Sequence, residues 1–367
     1  MAEAKNIAVV FAAGGTGGHL FPAIAVADEM RKLRPGIRIV FAGTRKKIEA
    51  RVVPQKGYEF VPIWISGVHR RLTLTNLLFP VKVIVSLWQS LLLLLSVKPQ
   101  VVIGTGGYVC GPVLFMASLM RIPTIVHESN SYPGVTTRML ASRVTDLLIT
   151  FDVTRKYLKK NGSRAVLTGN PTRDELVRPR KEEGLRQFGL TADKKTLFIF
   201  GGSLGAESIN KVIARDVDAF RAAGIQLLWQ VGGNAPETYE KMSGNSIVVK
   251  RFIDDMASAY AAADLVISRS GATTIAELTR LGKPALLVPY PSAAADHQMM
   301  NALALQDAGG AVVIADREFP EKGMASILSL LQNDEALKLM SRKSLSLGRP
   351  TAGKEIAQRA LELAHGN

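Results

Sequence analysis

The chain has 367 residues, 47% of them apolar and 21% charged, too apolar and too weakly charged for a disordered protein. Its single cysteine, Cys110, excludes an internal disulfide and a Cys-rich zinc site, and fits a reducing compartment. Residues 1–168 hold 22 Lys and Arg against 8 Asp and Glu, whereas residues 169–367 hold 24 against 23, so nearly all of the formal +15 lies in the first half. That asymmetry suits a half facing something anionic: nucleic acid, anionic lipid or a phosphorylated substrate. A basic surface kept for solubility remains the plainer reading.

In chain order, Met1–Lys5 runs into an apolar strand, Ile7–Ala12, with no cleavage-site pattern, so no targeting segment is expected. Further strands are predicted at Ile37–Ala42, Tyr58–Ile63, Val101–Gly104, Thr124–His127, Asp146–Thr150 and Ala165–Thr168. Helices fall between most of them, among them Phe21–Leu33 and Gly111–Met120. The run Val83–Val97 is intensely apolar but spans only 15 residues and contains Gln89. A membrane-crossing helix needs about 20 apolar residues, so a buried or membrane-surface helix is expected here. The second half continues with strands at Thr196–Phe200, Gln226–Val231, Ser246–Arg251, Asp264–Ile267, Pro284–Val288 and Ala311–Ile314, then a last helix, Thr351–Ala364. Alternating strands and helices predict two doubly wound parallel α/β domains. The Gly-Asn-Pro and the charged stretch within Thr168–Arg180 mark the boundary, which coincides with the change in charge.

Three glycine-rich turns follow predicted strands: Ala12–Pro22, Gly104–Pro112 and Gly201–Ser208. In open parallel sheets ligands bind beyond the carboxyl ends of the strands. Glycine there admits close backbone approach, and the next helix offers unpaired N–H groups to phosphate. No Gly-Lys-Ser/Thr and no G-x-G-x-x-G is present, which disfavours a Walker-type nucleotidase and a dinucleotide dehydrogenase. His19 stands where the first loop meets its helix, and the dipole there opposes positive charge on the ring. It reads either as a base able to accept a proton or as a structural hydrogen-bonder. Glu277, in the second turn of a helix after Gly271, reads either as a clamp for ribose hydroxyls or as a surface acid. His297, Gln298 and Asn301 could bond sugar hydroxyls or cap a helix. No cluster has metal-ligand spacing, and Asp254 and Asp255 read as acids at a helix N-terminus.

Eight segments taken together are specific: GGTGGHLFPA (Gly14–Ala23), GTGGYVCGP (Gly104–Pro112), HESN (His127–Asn130), GNPTR (Gly169–Arg173), GGSLGA (Gly201–Ala206), FIDDMASAYAAAD (Phe252–Asp264), SRSGATTIAEL (Ser268–Leu278) and DHQMMNA (Asp296–Ala302). In this order and over essentially the full length, the chain resembles the MurG family, the bacterial UDP-N-acetylglucosamine–N-acetylmuramyl-(pentapeptide) pyrophosphoryl-undecaprenol N-acetylglucosamine transferases. Ser129 stands where the family often has glutamine, and His297 where it can carry a second glutamine beside Gln298.

The resemblance implies a GT-B fold of two Rossmann-like, doubly wound parallel-sheet domains facing a cleft. Their bounds are expected at 1–168 plus 349–367 on the acceptor side and 169–348 on the donor side. It implies inverting transfer of N-acetylglucosamine to the 4-hydroxyl of an undecaprenyl-pyrophosphoryl muramyl-pentapeptide, a step of peptidoglycan synthesis, with no cofactor and no bound metal. By motif, the backbone of Ile253 would read uracil and Glu277 would hold the ribose. Arg173, Ser203 and the helix start Ala272, Thr273, Thr274, Ile275 and Ala276 would contact the nucleotide and its phosphates. Gln298, with His297, would hold the sugar. Thr16, Gly17, Gly18 and Asn130 would line the cleft, and His19 would be the base. Gly14, Gly15, Gly106, Gly107 and Tyr108 would cradle the acceptor pyrophosphate. Arg70, Arg71 and the 77–97 helix suit an anionic bilayer, which implies a peripheral protein on the cytoplasmic face of the bacterial plasma membrane. Other GT-B glycolipid transferases and UDP-N-acetylglucosamine 2-epimerase are the nearest alternatives. A non-catalytic nucleic-acid binder fits the pI of about 9.9, but no basic helix with interleaved aromatics supports it.

Overall fold

A computed structural model describes residues 7–67, 78–244 and 246–366. Arg70 and Arg71 lie outside the described residues. The chain divides into two compact units, one running to Thr172 and resuming at Pro350, the other Arg173–Arg349. The first boundary lies beyond the expected Thr168–Gly169 junction for a local reason. Gly169 and Asn170 are tied to the first unit, where the Gly169 carbonyl accepts from His127 Nε2 (2.9 Å) and Asn170 Oδ1 from the Ser129 hydroxyl (3.2 Å).

The first unit is a seven-stranded parallel sheet in the order β3-β2-β1-β4-β5-β6-β7. Its strands are β1 Ala8–Ala13, β2 Arg38–Gly43, β3 Glu59–Pro62, β4 Val101–Gly106, β5 Thr124–Glu128, β6 Asp146–Ile149 and β7 Val166–Leu167. Both faces are covered, so central strands such as AVVFAA are apolar throughout, as buried parallel strands are. Alternate side chains go to opposite cores: Val9, Phe11 and Ala13 to one, Ala8, Val10 and Ala12 to the other. The first core is closed by helix α1 (Gly17–Leu33) and by the C-terminal helix, which contributes Ile356, Ala357, Ala360 and Ala364. The second is closed by helices following β3, β4 and β5: α2 (Phe79–Val97), α3 (Cys110–Leu119) and α4 (Val135–Leu140).

The second unit is a six-stranded parallel sheet in the order β10-β9-β8-β11-β12-β13. Here β8 is Thr196–Phe200, β9 Gln226–Gln230, β10 Ile247–Lys250, β11 Leu265–Ser268, β12 Ala285–Leu287 and β13 Ala311–Val313. In each sheet the strand order reverses beside the first strand, at β1/β4 and at β8/β11. Doubly wound sheets place their ligands at such switch points. All three glycine turns leave the carboxyl ends of strands there: after β1, β4 and β8.

Candidate functional site

In the first unit the two glycine turns are built against each other. Thr16 is extended, and α1 begins at Gly17 rather than at the expected Phe21. The Gly17 and Gly18 N–H groups therefore belong to the first helical turn, where no intrahelical acceptor exists for them. Gly107 has φ +85°, and a Cβ there would fall 2.3 Å from the Gly14 carbonyl oxygen. Gly106 has φ +112°, and a Cβ there would meet His19 Nδ1 at 2.4 Å. Only glycine meets both demands at these positions. Tyr108, largely exposed, packs its ring over Gly67.

His19 is fixed at both ends. Its carbonyl accepts from the Thr105 hydroxyl (2.7 Å), and Nδ1 lies 3.1 Å from the Thr105 carbonyl oxygen. A carbonyl only accepts, so Nδ1 carries the hydrogen and the basic lone pair of the neutral ring is on Nε2. The other acid–base groups nearby are enclosed. His127 and Glu128 are buried. Burial holds the His127 pKa below the ordinary histidine value. The Glu128 oxygens are occupied by Asn130 N (3.0 Å), Asn130 Nδ2 (3.3 Å), Gly134 N (2.9 Å) and the Thr137 hydroxyl (2.6 Å). Glu128 thus shapes the loop that carries Asn130. Cys110 is buried too, which pushes its thiol up to about 12.

One expected phosphate donor is engaged elsewhere. The Gly15 N–H points at both carboxylate oxygens of Glu49 (3.1 Å each). Glu49 is fully buried beyond the end of β2 and also takes the Thr44 N–H (2.9 Å) and hydroxyl (2.7 Å). Gly15 therefore serves the loop's anchorage, and the N–H groups left for an anion are those at the start of α1.

In the second unit the turn after β8 approaches β9. A Cβ on Gly205 (φ +86°) would lie 2.0 Å from the Val231 carbonyl oxygen. Ser203 is exposed at its tip. The buried Gln230 joins this turn to the segment carrying Ile253: its Nε2 donates to the Gly202 carbonyl (3.1 Å), and its Oε1 accepts the Ile253 N–H (2.8 Å). With that N–H engaged, the carbonyl is the backbone group Ile253 has left for a ligand. Asp255 caps the short helix α5 (Met256–Ala262) through Ser258 N and Oγ (3.0 and 2.8 Å).

Helix α6 (Ala272–Leu281) starts from an extended Gly271 with no side-chain cap. The buried Thr273 hydroxyl in its first turn has no partner among the described residues. A helix start with unpaired donors is suited to phosphate. One turn on, Glu277 is only 8% exposed. Its Oε2 accepts from Tyr260 (2.9 Å), and its Oε1 lies 3.8 Å from Arg173, which also pairs with Glu175 (2.9 Å). Burial raises the Glu277 pKa, while Arg173 and Tyr260 act the other way. Helix α7 (His297–Asp307) follows two left-handed non-glycine residues, Ala295 (φ 51°) and Asp296 (φ 54°), a costly geometry that clusters at ligand sites. Gln298 Oε1 accepts from Tyr290 N (3.0 Å), the Gln298 carbonyl accepts from the Ser270 hydroxyl (2.7 Å), and Asn301 donates to the Ser270 carbonyl (3.2 Å). Asn301 is buried, so it holds the fold rather than a sugar, and half-buried His297 and Gln298 remain at the surface of the turn. Among the described residues no group of His, Cys, Asp and Glu could hold a metal ion.

Residues 9–149 match the glycosyltransferase family 28 N-terminal domain, and residues 196–359 match its C-terminal domain. A UDP-N-acetylglucosamine–N-acetylmuramyl-(pentapeptide) pyrophosphoryl-undecaprenol N-acetylglucosamine transferase from Chlorobaculum parvum is 42% identical, covering 97% of this chain and 99% of its own. One of the same name from Christiangramia forsetii is 38% identical, covering 98% of both. The crystal structure of Acinetobacter baumannii MurG superposes with a TM-score of 0.76 at 28% identity, over 97% of this chain and 99% of that one. A UDP-GlcNAc 2-epimerase from Neisseria meningitidis, at 14% identity and a TM-score of 0.67 over 98% of this chain and 100% of its own, shares the fold alone. The chain has the GT-B fold and is a glycosyltransferase of family 28, belonging to the UDP-N-acetylglucosamine–N-acetylmuramyl-(pentapeptide) pyrophosphoryl-undecaprenol N-acetylglucosamine transferases.

Proposed function

We propose that this chain transfers N-acetylglucosamine from UDP-N-acetylglucosamine to the 4-hydroxyl of an undecaprenyl-pyrophosphoryl muramyl-pentapeptide, with inversion. The observation that carries the reading is end-to-end identity of about 40% to transferases of that name. In the second unit the Ile253 carbonyl takes the uracil N3–H and Glu277 the ribose. Arg173, Ser203 and the Ala272–Ala276 helix start take the diphosphate, and His297 and Gln298 the sugar. In the first unit Thr16, Gly17, Gly18 and Asn130 receive the acceptor, whose pyrophosphate rests on the paired glycine turns. His19 Nε2 removes the proton from the 4-hydroxyl. That oxygen bonds to the anomeric carbon while the bond to the UDP oxygen breaks. UDP leaves with the electron pair, its charge met by N–H groups that are already oriented.

The acceptor is lipid-linked, and α2 supports attachment to a bilayer. The helix buries Leu93, Leu94 and Val97 near its end, but its earlier turns bury polar residues. Lys82, Ser86 and Ser90 face the protein, where Lys82 bonds the Ser66 hydroxyl (2.8 Å) and Ser90 the Ser86 carbonyl (2.6 Å). Val81, Ile84, Trp88, Leu92 and Leu95, at spacings of three and four, form an exposed apolar stripe. A stripe of that kind with nearby cations is suited to an anionic membrane surface, and Arg70 and Arg71 precede it in sequence. On this reading the protein is peripheral, on the cytoplasmic face of the plasma membrane.

UDP release from UDP-N-acetylglucosamine is the test. Release only when the lipid-linked muramyl-pentapeptide is added is expected. Conversion of the nucleotide sugar without acceptor would instead mark an epimerase.

A further inference from the structure

Tyr260 lies in the FIDDMASAYAAAD segment, of which only Ile253 has so far been given a ligand. Its side chain is wholly enclosed. The ring stands edge-on to Phe198 and Phe200 of β8, with centroids 5.6 and 5.9 Å away and both interplanar angles 83°. With the ring held there, the hydroxyl reaches Glu277 Oε2 at 2.9 Å. A carboxylate only accepts, so Tyr260 donates. The bond turns Oε2 inward and leaves Oε1, on the side of Arg173, as the oxygen presented to a ligand.

We infer that Tyr260 is the positioning residue for nucleotide recognition, holding Glu277 ionised and rotated so that Oε1 meets the ribose hydroxyls. The inference rests on the reading of Glu277 as the ribose clamp. Without the hydroxyl, one carboxylate oxygen would be buried with no donor, which favours protonation or rotation of the group. A protonated or rotated carboxyl is a poorer acceptor for ribose. Burial already drives Glu277 toward the neutral form, so the donor acts against an existing tendency. Tyr260 sits on α5, shortly after Ile253, so one short stretch of chain carries both the base contact and the group that sets the ribose contact.

The test is calorimetric titration of the full chain with UDP and with 2′,3′-dideoxyuridine diphosphate. Wild type should prefer UDP. Tyr260→Phe should lose roughly tenfold in UDP affinity, the size of one hydrogen bond to a charged group, with dideoxy binding unchanged. In a Glu277→Gln background, adding Tyr260→Phe should leave the UDP-to-dideoxy ratio where Glu277→Gln alone puts it. Equal losses on both nucleotides would reveal a merely structural tyrosine. Undiminished preference for UDP in Tyr260→Phe, or additive losses in the double variant, would likewise overturn the inference. Wild type binding both nucleotides alike would instead remove the ribose clamp on which it rests.

Discussion

Replacing Ile84 and Trp88 of α2 by serine tests whether the outward stripe works as a membrane surface. Ile84 is 68% and Trp88 60% exposed, so neither is needed to close the core. Full burial of an isoleucine is worth about 1.5–3 kcal/mol, so the exposed part of Ile84 stands for about 1–2. A tryptophan buries up to about 250 Å². At about 25 cal/mol per Å², its exposed part adds about 2–4 kcal/mol on entering lipid. Losing both should lower vesicle partitioning roughly 10²- to 10⁴-fold, since each 1.4 kcal/mol is tenfold. Co-sedimentation with vesicles containing anionic lipid measures this, and unchanged UDP affinity shows that the second unit is intact. Wild-type partitioning of the double variant would refute the role given to the stripe. A changed oligomeric state with unchanged partitioning would assign it to protein contact instead.

Three further outcomes are expected. His19→Ala should cut turnover about 10²- to 10⁴-fold, the usual scale of general-base catalysis, while UDP affinity stays put; steady-state kinetics showing wild-type turnover would mean another base. Arg70→Glu with Arg71→Glu should weaken binding to anionic vesicles while leaving donor affinity alone, and equal sedimentation of wild type with neutral and anionic vesicles would remove the electrostatic part. Lys283, largely buried and donating to the Ala263 carbonyl (2.9 Å), has its ammonium pushed down by burial to about 8. The folded state therefore disfavours its charge, a penalty complete below pH 8 that fades as pH rises toward the unfolded value near 10.5. Lys283→Met should thus stabilise at pH 7 by at most ~3 kcal/mol, less the loss of the carbonyl's partner. The gain should shrink between pH 8 and 10.5 in denaturant titrations, and a gain that grew with pH would contradict the assignment.

The strands of both sheets were legible because parallel strands covered on both faces read as short apolar runs bounded by glycine, proline and polar residues. Even two-residue β7 left its mark at Ala165–Thr168. The start of α1 was not, because Gly17 and Gly18 are poor helix formers and the extended Thr16 makes no side-chain cap. Glycine turns and the Glu277 helix stood out as local patterns. The groups that set their geometry did not, since each acts across a long separation. Glu49 reaches Gly15 from 34 residues away, and Thr105 reaches His19 from 86. Nothing near Glu49 in sequence distinguishes it from a surface acid. The composition of α2 was readable, but the helix runs 19 residues, Phe79–Val97, rather than the 15 of the apolar run, and is long and apolar enough to cross a membrane by length and composition. Its orientation was not readable either, because only tertiary packing decides that the serines turn inward.

Two buried side chains, one per unit, show how similar glycine turns are set for different tasks. Glu49 lies beyond the second strand of its sheet and Gln230 is the last residue of the second strand of the other, and each ties down the turn that follows the first strand. In the second unit this is Gln230, a neutral amide that donates to the Gly202 carbonyl. An amide donor consumes a carbonyl and takes up no N–H of the turn, where among the described residues only Gly205 N is engaged, with that same carbonyl (3.1 Å). In the first unit it is Glu49, a carboxylate that consumes the Gly15 N–H. A carboxylate behind the turn also repels a phosphate placed directly over it. On the proposed reading, an incoming pyrophosphate would be displaced from the middle of the turn toward the start of α1, where Gly17 and Gly18 offer N–H groups and the helix dipole is favourable. His19, whose Nε2 carries the basic lone pair, follows Gly18 directly. If His19 is the base, the tether that removes one phosphate donor would thus move the acceptor's charge toward it. The neutral tether in the second unit would set no such charge against a nucleotide diphosphate.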